Sequence, residues 1–217
     1  WRPYFQSAQL TLLGDGNIED AAADFRRARF VEPIIGNVSY EEGLVWLNID
    51  LDRAISAWRD TLFRELHSKE FTFDQMLKQV SDSPERFERL ARLSEMDPFY
   101  RSRFLCFLRS EDFMQELQLD LAKDPSLSRF STEERTDILS NWVRRGDANS
   151  AEKFLESYGD SLNKSWWLWS LLRKEQADLE GAVEHIRGNI KIPKVQEVEL
   201  DDATFARLNR EFAVAPK

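Results

Sequence analysis

The chain is 217 residues long, 42% apolar and 12% aromatic, and this supply of core-forming side chains excludes intrinsic disorder. Its formal net charge of −9 argues against general attraction to nucleic-acid phosphates, so no nucleic-acid partner is expected. A single cysteine, Cys106 within FLCFL, excludes an internal disulfide and reads as a small buried hydrophobe.

With only 8 glycines and 7 prolines to interrupt it, the sequence predicts helices along most of its length. A first pair spans 3–13 and 18–30, joined by Gly14-Asp15-Gly16-Asn17, whose glycines accept positive φ and whose polar residues cap the next helix. A second pair spans 39–48 and 51–66, with Asp50 or Asp52 at the start of its second helix. Helices follow over 72–80, 84–95, 98–109 and 111–122, where Ser83-Pro84 and Asp97-Pro98 each place a cap before a first-turn proline. Ser131 and Glu134 stand three apart as a capping box and open a helix that runs through Trp142 to Arg145. Helices at 148–158, 162–174 and 178–189 complete two further pairs. From Ile190 to Leu200 apolar and polar residues alternate, which predicts an extended segment, and Asp201-Asp202 caps a last helix with Phe205, Leu208 and Phe212 on one face.

A repeat underlies these pairs. Ala21, Phe25 and Ala28 lie on one helix face, since residues three and four apart are neighbours, and Pro33 ends the unit. Ala54 and Trp58 restate the small-then-large pair 33 positions after Ala21 and Phe25, preceded by Gly43 and Trp46 on a first helix. Ala151 with Leu155 and Ala182 with Ile186 restate it again, 31 residues apart. A period near 34 with these residue types is the tetratricopeptide (TPR) pattern. The expected fold is therefore all-α: TPR-like antiparallel helix pairs stacked in a right-handed superhelix, irregular in the middle, with a short extended segment and capping helix at the C-terminus. The expected organisation is one helical-repeat domain over 1–217, with two TPR-like repeats in 1–66, irregular helices in 67–130, two further pairs in 131–190, and the extended segment plus cap in 191–217.

No catalytic residue, cofactor or metal is expected. The only histidines, His67 and His185, are 118 residues apart, and no phosphate loop or nucleophile elbow is present. The carboxylate pairs Glu41-Glu42, Glu111-Asp112 and Glu133-Glu134 read as solvated helix starts, and the run Arg26, Arg27, Arg29 as a solvated face balanced by Asp20 and Asp24. The candidate ligand or partner surface is Trp166, Trp167 and Trp169 beside Arg144 and Arg145. Trp166 and Trp169 share a helix face whereas Trp167 is turned about 100° away, so the three indoles do not all fit one core. An exposed indole stacks on a sugar, a peptide side chain or an arginine.

The stretches FRRARFVEP, EEGLVWL and AISAWRDTL resemble the TPR-like C-terminal soluble tails of bacterial O-antigen ligase and polymerase-type membrane proteins, over roughly residues 1–66. The resemblance implies an extracytoplasmic accessory domain on the periplasmic face of a bacterial inner membrane. The ligase chemistry of that family belongs to its membrane portion, so no catalytic residue carries over. A chain that starts at Trp1 is expected to be processed or cut from a longer protein, and no membrane span is read in it. The leading expectation is a non-catalytic interaction or scaffold module whose concave face, lined by first helices such as 39–48 and 131–145, binds a protein or peptide. A carbohydrate-binding or cryptic glycan-processing domain is one alternative, and a spacer or oligomerisation tail is another.

Overall fold

A computed structural model describes residues 1–14, 16–33, 36–64, 68–145, 148–159, 162 and 165–189, except the side chains of Ser165 and His185. The extended segment and terminal helix expected beyond Ile190 lie outside these residues, as does His67. Among the described residues the chain is all-helical, with no strand. Among the described residues no helix is long and apolar enough to cross a membrane.

The helices are α1 (Arg2–Gly14), α2 (Ile18–Val31), α3 (Asn37–Trp46), α4 (Leu51–Phe63), α5 (Lys69–Val80), α6 (Pro84–Ser94), α7 (Pro98–Phe107), α8 (Ser110–Lys123), α9 (Thr132–Arg145), α10 (Ala148–Tyr158), α11 (Ser165–Glu175) and α12 (Leu179–Asn189). Several of their starts follow local capping chemistry, although Ser83 before Pro84 makes no capping hydrogen bond, contrary to expectation. Asn17 accepts from the Asp20 amide at 3.2 Å, Asp50 from the Arg53 amide at 3.0 Å, and Asp97 from the Phe99 amide at 2.8 Å. Ser131 and Glu134 exchange both bonds of a capping box, at 2.7 and 3.2 Å. Gly16 turns between α1 and α2 at φ +65°, where a side chain is disfavoured. Helix α3 begins two residues before its expected start and ends at Trp46, and α4 stops at Phe63 because Arg64 has left the helical region at ψ 165°.

The chain divides into two compact units, Trp1–Ser165 and Trp166–Lys217. In the first, α1 with α2 and α3 with α4 form two helical hairpins, and α2 packs on α3. Ala21, Phe25, Ala28, Trp46, Ala54 and Trp58 are all fully buried there, Gly43 is buried, and Pro33 is exposed beyond α2. A chain of edge-on rings joins the two hairpins, with Phe5 to Phe25 at 5.0 Å and Phe25 to Trp46 at 5.5 Å between centroids. Past α4 the pairing changes: α7 packs against α5, α6, α8 and α9, so one helix serves four neighbours. Its sequence explains this, since Tyr100 and Phe104 bury one flank of the helix and Arg101 and Leu105 bury the next, about 100° round. Tyr100 donates to the Leu62 carbonyl at 3.1 Å, and burial pushes its phenol up to about 12. Helix α9 packs on α10 through Trp142 and Phe154, 5.7 Å apart.

In the second unit Leu168 and Leu172 of α11 and Ala182 of α12 are buried, and the Ser170 hydroxyl donates to the Ala182 carbonyl at 3.3 Å. The turn between these helices holds Ala177 at φ 62°, and Asp178 caps α12 by accepting from the Gly181 amide at 2.9 Å.

Candidate functional site

A cleft of about 780 Å³ opens between α6, α7 and α8 of the first unit. Phe87, Phe104 and Phe107 form its apolar floor, with ring centroids 5.2 Å apart for Phe87 and Phe104 and 6.5 Å for Phe87 and Phe107. Phe104 is buried, but Phe107 is 38% exposed, so part of this floor is open to solvent. Asp82, Glu88, Asp112 and Glu116 stand around the cleft against the single guanidinium of Arg109. The lining is thus acidic by three charges at neutral pH. Asp82, Asp112, Arg109 and Gln115 make no side-chain hydrogen bond or ion pair to another described residue, so their full bonding capacity faces outward.

The wall at Glu116 is held from behind. Its carboxylate accepts from Arg101 at 2.6 Å, Arg101 Nε donates to Asp120 at 2.8 Å, and Arg129 also donates to Asp120. Arg101 is 1% and Asp120 0% exposed. Burial alone would lower the Arg101 pKa, but bonding to Glu116 and Asp120 outweighs it and the net shift is upward. The Arg101 guanidinium also lies 5.4 Å from the Phe104 ring centroid, tying the buried charge to the floor. One acid of the wall and the deepest ring of the floor are therefore fixed before any ligand arrives.

None of the ligand-surface residues singled out from the sequence lines this cleft. Arg144 is exposed and makes no hydrogen bond or ion pair with another described residue, whereas Arg145 donates to the Leu108 carbonyl and so fastens the end of α9 to the end of α7. Both lie in the last turn of α9, where positive charge complements the helix dipole. Trp166, Trp167 and Trp169 belong to the second unit, and all three indoles are half-buried. Arg173 lies 5.8 Å from the Trp169 ring centroid, a cation–π arrangement one helical turn away.

Arg26 and Arg27 of the basic run are exposed and Arg27 pairs with Asp24, as a solvated face requires, but Arg29 departs from that expectation. Arg29 is 20% exposed in its side chain and reaches Glu42 on α3 at 3.2 Å and Asp60 on α4 at 2.8 Å. Glu42 is likewise no solvated helix start: it is 5% exposed, and Trp46 donates its indole N–H to it at 3.2 Å. Burial raises its pKa against the opposing pull of Arg29 and of the Trp46 bond. Both departures have one cause, the docking of α2 against α3, which no local periodicity encodes. The acids of the α6–α8 cleft were also missed, because they lie where the repeat spacing lapses. The available signal was the cluster of three phenylalanines, Phe87, Phe104 and Phe107, flanked by acids in a region with no repeat to explain them.

No group of three or more potential metal-ligating side chains occurs among the described residues. No family model matches the chain, and no curated protein or solved structure matches it either.

Proposed function

We propose that this chain is a non-catalytic interaction module that binds a protein segment carrying an apolar anchor flanked by lysine or arginine. The acid-walled, phenylalanine-floored cleft between α6, α7 and α8 carries this reading. The anchor side chain would cover Phe107 and gain burial, while the basic flanks would meet Asp82, Glu88 and Asp112. Burying about 100 Å² of apolar surface contributes on the order of 2.5 kcal/mol, so affinity would come from the floor and selectivity from the acids. TPR-like stacking into a right-handed superhelix is part of the same proposal, supported by the equivalent burial of Ala21 with Phe25 and of Ala54 with Trp58 in successive hairpins. So is the role of accessory domain to a membrane glycan-ligase or polymerase-type protein on the periplasmic side, supported by the resemblance over residues 1–66.

The test is titration of the isotope-labelled chain with synthetic peptides in which leucine or phenylalanine is flanked by lysines, and with matched peptides flanked by glutamates. The expected result is saturable shifts at Phe87, Phe107 and Asp112 for the basic set alone, lost in an Asp112→Lys, Glu88→Lys variant that keeps its helical content. Equal response to both sets, or none, would overturn the reading.

A second reading, carbohydrate binding, is favoured by the half-exposed indoles of Trp166, Trp167 and Trp169. It predicts that glycans quench tryptophan fluorescence saturably and that Trp167→Ala removes the response.

A further inference from the structure

A second, smaller cleft of about 160 Å³ lies among α2, α3 and α4 and is lined by Arg26, Arg29, Arg53, Ser56, Trp46 and Glu42. Three guanidinium groups and one carboxylate give the lining a charge of +2, in a chain whose net charge is −9. The volume exists because the α2 and α4 residues beneath it are small, Ala22 and Ala57, 4% and 1% exposed.

Two of the arginines are held in place. Arg53 donates to Asp50 at 3.1 Å and to Glu19 at 2.7 Å, and its guanidinium lies 5.4 Å from the Trp46 ring centroid. Arg29 is fixed by Glu42 and Asp60. These contacts use only part of the five N–H donors that each guanidinium carries. The carboxylates of Glu19, Asp50 and Asp60 anchor the arginines without lining the cleft themselves. Glu42 is a positioning residue: one oxygen accepts from Trp46, and the other faces Arg29 Nε without a hydrogen bond of its own. Arg26 differs from both, being exposed and making no hydrogen bond or ion pair with another described residue. It is the one lining arginine without an ion pair, although its charge still acts on the Glu42 carboxylate.

We propose that this cleft binds a phosphate monoester. A carboxylate offers two oxygens in one plane, which a single bidentate arginine satisfies. A phosphate monoester offers three terminal oxygens in different directions, matching donors that approach one volume from two helices, with the Ser56 hydroxyl as a further donor. Its charge of about −1.5 to −2 would meet Arg26 and share the remaining N–H donors of Arg29 and Arg53 with the carboxylates that already hold those two arginines. The site is independent of the acidic cleft, on different helices and of opposite sign. Its ligand is either a free phosphorylated metabolite or a phosphorylated side chain, since both present the same group.

The test is NMR of the arginine Nε–Hε groups in the whole chain at constant ionic strength. Inorganic phosphate, glycerol phosphate and a phosphoserine peptide are added in turn, with sodium acetate and sodium chloride as controls. Expected are saturable shifts at Arg26, Arg29 and Arg53 with the phosphate probes and not with the controls. Arg26→Gln should weaken binding about tenfold, the loss of one charge-assisted contact, with little change in thermal stability because Arg26 makes no hydrogen bond or ion pair with another described residue. Tighter binding of the peptide would assign a phosphorylated protein as the source, and tighter binding of glycerol phosphate a free metabolite. Equal shifts with acetate, no shifts with phosphate, or unaltered affinity in Arg26→Gln would overturn the proposal.

Discussion

Gly43 of α3 and Trp58 of α4 are in direct contact: a Cβ built on Gly43 would lie 2.2 Å from Cδ1 of the Trp58 ring. Trp58 has no room to retreat. It is 0% exposed, its indole N–H donates to the Tyr40 carbonyl at 3.2 Å, and it stacks on the Tyr40 ring with centroids 6.5 Å apart. The absence of a side chain at Gly43 thus sets how closely α3 and α4 approach.

Gly43→Ala tests that contact. Alanine is favoured over glycine inside a helix by about 1 kcal/mol, but overpacking a rigid buried indole costs about 1–3 kcal/mol, and the 2.2 Å approach places this site at the costly end. The expected net loss is about 2 kcal/mol, a fall in thermal midpoint of about 2–4 °C per kcal/mol in a chain of this size. In a Trp58→Phe background the same substitution should cost less, because the smaller ring leaves space. Additive losses in urea unfolding would show that the two residues do not share the strain.

Asp120 holds two arginines, Arg101 and Arg129, and has no exposed surface. Asp120→Ala leaves the Arg101 charge in the interior with only Glu116 to answer it, and should lower stability by about 3–5 kcal/mol. The double variant Asp120→Ala, Arg101→Met should recover part of that loss, since it removes the charge together with its partner. Chemical denaturation midpoints of the three variants decide this.

Glu42 makes stability depend on pH in an unusual direction for a carboxylate. Burial lifts its pKa above the ordinary glutamate value of 4.5, so the folded chain holds this proton more tightly than the unfolded chain does. Between the two pKa values a rise in pH therefore removes stability, and a fall toward 4.5 restores it. Relative to Glu42→Gln, which keeps an acceptor for Trp46 but cannot ionise, the wild-type chain should gain stability on going from about pH 7 to about pH 5. Urea unfolding of both proteins at each pH measures the difference. A constant offset between them would show that Glu42 is ionised throughout.

Cys106 should be slow to react. Burial first, and then the nearby Asp137 charge, push its thiol from 9.0 up to about 11, and Asn141 donates to its sulfur at 3.2 Å. The two-unit rise leaves about 100-fold less thiolate at about pH 8, and the thiolate is the reactive form. Alkylation by iodoacetamide should therefore be slower by at least that factor in the native chain than in urea. Comparable rates would mean the thiol is reachable and unperturbed.

The sequence by itself determined what local chemistry determines. Helix starts were legible in the 14–17 turn, at Asp50 or Asp52, at Asp97 and at Ser131, because a cap bonds an amide two or three residues away and needs no partner helix, and the structure selects Asn17 and Asp50. The small-then-large pairs Ala21 with Phe25 and Ala54 with Trp58 announced which faces are buried, because helical periodicity records a face in the order of residues. Only the tertiary structure decided what those faces meet. It turned Arg29 and Glu42 from an apparent solvated fringe into a bridge across α2 and α3. It gathered Phe87, Phe104, Phe107 and their ring of acids from three helices. It left Arg26 as the unpaired charge beside two anchored arginines. A residue's spacing fixes its direction from the helix axis, but its burial, its partner and its charge balance belong to the helices packed against it, and those contacts span tens of residues.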